Sequence, residues 1–392
     1  MDPYTDLFHD YVVASTTYLV GKVQTTPSLL AAGDRRQALH TLSYALRLPP
    51  AWPAARTLLL DMAPKMERAG YRMEWLPYLQ QGVQQCRQQE DTVTEAELAL
   101  QIGYTLFLQG NYAEAHTWFA QSFHCFQQVH HPIGQGTALN RMAMVAQRQR
   151  DFPAAKRLVA QALPLLGNAS ERANSYTVLG EIALEAREWT HAEHYFRQAL
   201  QIWEEDHDQR RTAWGLRNLG VSLLEQADHA GAVACYQQAI ALLEQEGDRV
   251  NLATIQMNLG VIYSRTGRMQ EALPLFATAA QIFRVNQDRP YLASVYTNQA
   301  IAYRRLEQWQ LAEQSCRAAI ELWEKLGDEM NLVNVKDELG LIRLGQHCVE
   351  GAIVIFTEAL EQVQRMKKPA PRLLALVSDH LHDAKKRALS YD

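Results

Sequence analysis

The sequence predicts an all-α fold, a solenoid of antiparallel helix pairs closed by a C-terminal capping helix. Three observations predict it. First, a small residue recurs at Gly103, Ala143, Gly180, Gly220, Gly260, Ala300 and Gly340, in steps of 40, 37, 40, 40, 40 and 40 residues. Second, twelve residues after each marker stands an alanine: Ala115, Ala155, Ala192, Ala232, Ala272, Ala312 and Ala352. Seven residues further come Ser122, Ala162, Ala199, Ala239, Ala279, Ala319 and Ala359, with Phe119, Val159, Phe196, Tyr236, Phe276, Cys316 and Phe356 between the two. Third, apolar residues inside each unit recur at three or four positions, as on an amphipathic helix. Self-similarity at this period belongs to stacked repeats, which grow by adding units.

Each unit reads as two helices. Over Asn251 to Ser264, Leu252, Ile255, Leu259 and Ile262 keep helical spacing, and Thr266-Gly267-Arg268 breaks it. A second run, Ala272, Leu275, Phe276, Ala279, Ile282 and Phe283, ends before Asn286-Gln287-Asp288. Asp91, Asp208, Asp248, Asp288 and Asp328 each precede a marker by twelve residues. A short carboxylate in that turn can cap the next helix. Gly or Ala opposite Ala lets two backbones approach, with the large ring filling the space beside them.

The chain divides accordingly. Residues 1–53 are an N-terminal helical segment with a degenerate first repeat, and 54–90 a degenerate pair. Seven units occupy 91–366, at about 91–130, 131–167, 168–207, 208–247, 248–287, 288–327 and 328–366, and residues 367–392 form the capping helix. In the first segment Gly33, Ala38, Leu42 and Ala45 carry second-helix spacing, interrupted upstream by Pro27. Leu48-Pro49-Pro50-Ala51-Trp52-Pro53 is rigid punctuation. In the degenerate pair, Gly70 precedes Trp75 by five residues as Gly110 precedes Ala115, and Leu79 and Gly82 match Phe119 and Ser122. At the far end Lys367-Lys368, Pro369 and Pro371 lead into an apolar face of Leu373, Leu374, Leu376, Val377 and Leu381. Arg372, Lys385, Lys386 and Arg387 surround it, as expected of a terminal unit with one polar side.

Composition narrows the function classes. Of 392 residues, 47% are hydrophobic and 21% charged, the balance of an ordinary folded, soluble chain. Lys plus Arg is 38 against 43 Asp plus Glu, a formal charge of −5, which argues against a nucleic-acid partner. No run approaches the ~18 apolar residues of a membrane span, and Met1-Asp2-Pro3-Tyr4 does not open a secretory signal. Cys86, Cys125, Cys235, Cys316 and Cys348 form no C-x-x-C pair and read as small apolar residues in a reducing, cytoplasmic setting. His191, Glu193 and His194 lack a third metal ligand at suitable spacing. His130-His131-Pro132 reads as a loop, and Gly134-x-Gly136 as flexibility at a helix start. No catalytic set stands out and no P-loop is present. The expected protein is not an enzyme and needs no cofactor.

Leu259, Gly260, Tyr263, Ala272, Phe276 and Ala279 of one unit resemble the tetratricopeptide repeat, here with longer helices than the usual repeat of about 34 residues. The resemblance covers about residues 90–365. It is similar to the arrays of kinesin light chains, LGN-type polarity scaffolds and bacterial regulators of the MalT and Rap types. Residues 54–90, with Leu58-Leu59-Leu60, Gly70-Tyr71 and Glu74-Trp75-Leu76, are also similar to helices that follow the nucleotide-binding module of STAND-type ATPases, whose repeat arrays are sensor arms. The resemblance implies a right-handed superhelix, its first helices lining a concave face and its second helices the convex wall.

Function then belongs to first-helix positions that packing does not need. Two residues before the markers stand Gln101, Arg141, Val178, Asn218, Asn258, Asn298 and Glu338. A side-chain amide both donates and accepts, so Asn218, Asn258 and Asn298 form a ladder able to hold an extended backbone in either sense. Asn140, Arg141, Arg217, Arg265, Arg304 and Arg305 add a basic stripe for carboxylates, interrupted by Glu181, Glu185, Glu225 and Glu338. Tyr104, Phe107 and Trp214 are candidate apolar anchors. The expected function is a scaffold or adaptor that binds a protein or peptide partner in the concave groove, with no membrane contact. The alternative is a sensor or receptor arm of a bacterial signalling or transcription-regulating system, answering a peptide or small ligand. The oligomeric state is left open.

Overall fold

The computed structural model describes residues 3–26, 30–167, 170–366 and 370–389, apart from the side chain of Arg68. Pro27 and the Lys367-Lys368-Pro369 stretch lie outside the described residues. Among those described there are nineteen α-helices and no strand. The N-terminal part comprises α1 (Pro3–Thr25), α2 (Ala32–Ala45), a 3-10 turn (Pro49–Ala51), α3 (Trp52–Ala69) and α4 (Arg72–Gln88). Helix pairs follow: α5 (Thr92–Leu108) with α6 (Tyr112–Gln128), α7 (Pro132–Arg148) with α8 (Phe152–Leu166), α9 (Arg172–Glu185) with α10 (Trp189–Glu205), and α11 (Gln209–Glu225) with α12 (His229–Glu246). Then come α13 (Arg249–Arg265) with α14 (Met269–Val285), α15 (Arg289–Arg305) with α16 (Trp309–Leu326), α17 (Glu329–Gly345) with α18 (Val349–Arg365), and finally α19 (Pro371–Ala388). The chain forms two compact units, Met1–Leu252 and Ala253–Asp392, divided in the first turn of α13.

A left-handed residue ends most of these helices. Positive φ occurs at Gly70, Glu90, Gly110, His130, Arg150, Gly167, Arg187, His207, Ala227, Gly247, Gly267, Gln287, Glu307, Gly327 and His347, a cadence of one per twenty residues except for the shorter step from Arg150 to Gly167. This conformation lets the next N–H bond back into the finished helix, as Asp91 N does to Cys86 O at 2.9 Å and Asp208 N to Trp203 O at 3.1 Å. The same aspartates then start the next helix. Side chains of Asp91, Asp208, Asp248 and Asp328 accept from the backbone N–H three residues on, and so do Asp151 and Asp228 ahead of second helices. Asp288 departs from the expectation, since its side chain does not cap α15. His131 departs the other way: its Nδ1 accepts from Gly134 N at 2.9 Å, so the supposed loop histidine is a helix cap.

Within each pair, the marker glycine is a socket for the ring of the partner helix. A Cβ placed on Gly103 would lie 2.6 Å from Phe119, and on Gly260 2.7 Å from Phe276. Gly180 under Phe196, Gly220 under Tyr236 and Gly340 under Phe356 are tighter still. Where the marker is alanine, its counterpart is smaller: Val159 stands opposite Ala143 and Cys316 opposite Ala300, and all four are buried. Glycines also set close contacts outside the markers, between pairs at Gly134 and within a pair at Gly136. Gly134 lies under Phe126, and Gly136 under Leu166 near Ala162 O, so the expected flexibility at this helix start is instead close packing. In unit 1 successive first helices touch one another (α5 with α7, α7 with α9, α9 with α11), and in unit 2 α15 touches α17 and α17 touches α19. First helices thus form a layer of their own in each unit.

Gly180→Ala should destabilise the protein by about 1–3 kcal/mol, through overpacking that exceeds the gain in helix propensity. Phe196→Val alone leaves a cavity. The Gly180→Ala/Phe196→Val double variant reproduces the Ala143–Val159 solution and should lose at least about 1 kcal/mol less than the sum of the singles, measured by urea unfolding.

Candidate functional site

A polar cluster of unit 1 forms where α3 meets the start of α11. Arg210 donates through Nη2 to Glu67 Oε1 at 2.9 Å and through Nε to Asp248 Oδ2 at 2.5 Å. These side chains are only 15%, 18% and 0% exposed. Burial alone would push the Glu67 carboxyl up, but Arg210, Arg72 and Arg141 hold it below the usual glutamate range. Burial likewise works against the Arg210 charge, and Glu67 and Asp248 hold it in place. Tyr104 belongs to the same cluster; burial raises its phenol, with Glu67 adding to the rise. The Arg141 guanidinium lies 4.9 Å from the Tyr104 ring and that of Arg210 4.8 Å from Trp214. Trp214 Nε1 is buried with no hydrogen-bond partner among the described residues. A polar cleft of about 410 Å³ opens beside Arg210, lined by His207, Asp208, Gln209, Arg211 and Glu246.

The asparagines divide by unit and by hydrogen bonding. In unit 1 both ends of the Asn140 amide are engaged: Nδ2 donates to Glu171 O at 3.1 Å, and Ser175 Oγ donates to Oδ1 at 2.7 Å. Asn140 therefore ties α7 to α9 across the junction where the repeat is three residues short. Asn218 is buried, and its Oδ1 accepts from Arg217 Nε and Nη2 at 3.1 and 2.9 Å. In unit 2, Asn258 on α13 and Asn298 on α15 are half-buried at equivalent positions. Among the described residues neither amide has a hydrogen-bond partner.

Family models for the tetratricopeptide repeat match residues 96–132, 171–245 and 251–325. The chain is a tetratricopeptide-repeat protein. Among solved structures, a Rap protein complexed with competence and sporulation factor superposes with a TM-score of 0.57 at 13% identity, over 98% of this chain and 100% of that one. Aspartyl phosphate phosphatase F from Bacillus subtilis gives 0.51 at 13% identity, over 92% and 95%. A STAND protein with a tetratricopeptide-repeat sensor from Pyrococcus horikoshii gives 0.53 at 13% identity, over 80% of this chain but only 50% of that one. At these identities the likeness is one of fold. No curated protein matches the sequence.

The arginines of the expected basic stripe are largely spoken for within this repeat array. Arg304 forms an ion pair with Glu338 through Nε, and its Nη2 lies 3.3 Å from Glu338 Oε2. Burial raises the Glu338 carboxyl and Arg304 offsets part of the rise. Arg305 is exposed, yet its Nη1 donates to Ser264 O at 2.7 Å, in the last turn of α13. Arg265 is exposed in that same turn. Phe107 is core, stacked near Tyr104 at 6.3 Å between centroids. His191 faces Glu188 at 3.4 Å, and Glu193 is bonded to Arg197 and Gln226. Among the described residues no group of three metal-ligating side chains converges, and no helix is long and apolar enough to cross a membrane.

Sequence reading missed Glu67, Arg72, Arg210, Asp337 and His380. Asp337 is buried on α17, and His380 Nδ1 on α19 lies 2.8 Å from its Oδ1. Arg210 carried a signal: a cation in the first turn of a helix opposes the helix dipole and asks for a nearby carboxylate. At neutral pH Glu67→Gln should cost about 2 kcal/mol, the scale of a hydrogen bond to a charged group. Because the folded-state pKa is lowered, the Glu67 contribution is present above the ordinary value of 4.5 and is lost as pH falls through the folded value below it. Denaturation of both proteins at neutral and acid pH should show the gap closing on acidification.

Proposed function

We propose that this tetratricopeptide-repeat protein is a non-catalytic cytoplasmic scaffold that binds an extended peptide or protein segment along its first-helix layer. Asn258 and Asn298 of unit 2 hold the segment's backbone. The observation that carries this reading is that these two half-buried amides stand at equivalent positions on successive first helices, without hydrogen-bond partners among the described residues. Both amides keep contact with solvent, so their donors and acceptors are within reach of a ligand. A peptide bond offers the complementary donor and acceptor. Arg265 and Arg305 lie about two turns further on and favour a segment carrying acidic side chains. In unit 1, Arg141 over Tyr104 and the unmatched Trp214 N–H form a separate patch suited to an acceptor group. Asn140, Asn218, Arg217 and Arg304 serve as supports, since their bonds are made within the chain. The Rap protein complexed with competence and sporulation factor supports a ligand-binding role for this fold.

A second reading, a sensor arm in a signalling or transcription-regulating system, is favoured by the Glu67–Arg210–Asp248 cluster. It ties α3 to α11 across 143 residues of sequence, so a ligand on the intervening helices could load or relieve it. The STAND protein with a repeat sensor supports this reading.

Selection from a library of random extended peptides should retain binders on the native protein. Asn258→Ala/Asn298→Ala should bind them roughly 10–100-fold more weakly, at about 0.5–1.5 kcal/mol per lost hydrogen bond, with an unchanged melting temperature. Asn140→Ala should instead melt earlier. Equal peptide affinity for the native and double-alanine proteins would remove the amides from the site.

A further inference from the structure

Helix α1 has two apolar faces, and the fold uses one. Val12, Thr16, Leu19 and Val23 are buried, where α1 packs on α3 and α2. Tyr4, Leu7, Tyr11, Ala14, Tyr18 and Gly21 form a second row, exposed throughout. At about 100° per residue the two rows lie roughly 150° apart, so both can be covered at once. The exposed row steps by three and four residues in strict alternation, the spacing of a coiled-coil seam. Its large members are far from covered: Tyr4 is 80% exposed, Leu7 67%, Tyr11 70% and Tyr18 64%. Phe8 extends the patch to Tyr44 of α2, 5.7 Å away in an edge contact. A contiguous apolar surface of this kind marks an interaction site.

We propose that the row pairs with itself, joining two copies of the chain through antiparallel α1 helices about a two-fold axis between Val12 and Val13. The sizes along the row fit that arrangement. Antiparallel pairing sets Tyr11 over the partner's Ala14, Tyr4 over the partner's Gly21, and Leu7 against the partner's Tyr18. Large meets small in two of the three layers. Gly21 has open space where a Cβ would project, a notch for a ring. Charge favours the same direction: Asp6 and Asp10 lie in the first half of α1 and Lys22 in its last turn, so antiparallel helices avoid stacking acid on acid. The area suffices too. With roughly 150–250 Å² per aromatic side chain, the row and Phe8 offer on the order of 600 Å² per copy, about 1,200 Å² for the pair, within the range of specific interfaces. The contact is isologous and closes at two copies.

Sedimentation equilibrium of the full chain at tens of micromolar tests the pairing. The native protein, and Val354→Glu as an exposed control on α18, should run at twice the chain mass of 44.5 kDa. Tyr11→Glu, Ala14→Glu and Tyr11→Ala should run at the single-chain mass, with unchanged helicity by circular dichroism because these sites are exposed. The swap Tyr11→Ala/Ala14→Tyr restores the antiparallel layer and should restore the dimer, which a generic loss of apolar surface would not. A native chain that stays monomeric overturns the proposal, as does a dimer indifferent to the Tyr11 and Ala14 substitutions. A swap that stays monomeric overturns the antiparallel register.

Discussion

Close approach of two helices over a missing side chain is the constraint on which the rest of this protein depends. In five of the repeat's pairs the first helix carries glycine where the second carries an aromatic ring, and the ring occupies the volume a methyl would need. Ala143 with Val159 and Ala300 with Cys316 meet the same requirement by sharing the volume differently. The constraint is therefore on the sum of two residues, not on either alone. Burial pushes the Cys316 thiol up, consistent with its use as packing rather than as a nucleophile.

Pairing at that distance leaves the connections little freedom. Each turn closes one helix and opens the next within a few residues, and aspartate does both jobs, its N–H serving the finished helix and its carboxylate the new one. Stacked on this scaffold, first helices form their own layer in each unit. Polar side chains on that layer divide into those bonded to neighbours, such as Asn140 and Arg304, and those left over, such as Asn258 and Asn298.

Local and periodic features were legible in the sequence. The markers, the helix pairs and most of the aspartate caps follow from spacing, because each depends on residues at most one repeat apart. What was not legible depends on non-local geometry. Residue type alone gives no hint that Asn140 bonds Ser175 while Asn298 has no hydrogen-bond partner among the described residues; Asn140 stands three residues before its marker and Asn298 two, so they face about 100° apart on their helices. The Glu67–Arg210 pair spans 143 residues, and no spacing rule reaches that far. Gly134 and Gly136 were legible as glycines, but their reason was not, since Phe126 and Leu166 lie on other helices.

The shortened junction between α8 and α9 has a consequence for how the protein comes apart. Helices α8 and α9 have 15 and 14 residues where most repeat helices have 17, and the twenty-residue cadence slips there. In a stacked array stability is a sum over nearest-neighbour interfaces, so a thin interface is a place where cooperativity can fail. Side chains bridge it: Asn140 to Glu171 and Ser175, and Arg172 to Gly167. Polar staples of this kind hold by direction rather than by area, and they yield together once strained. Opening on the α8 side and on the α9 side would proceed as separate steps, making the junction a built-in fault line between two folding blocks of unit 1.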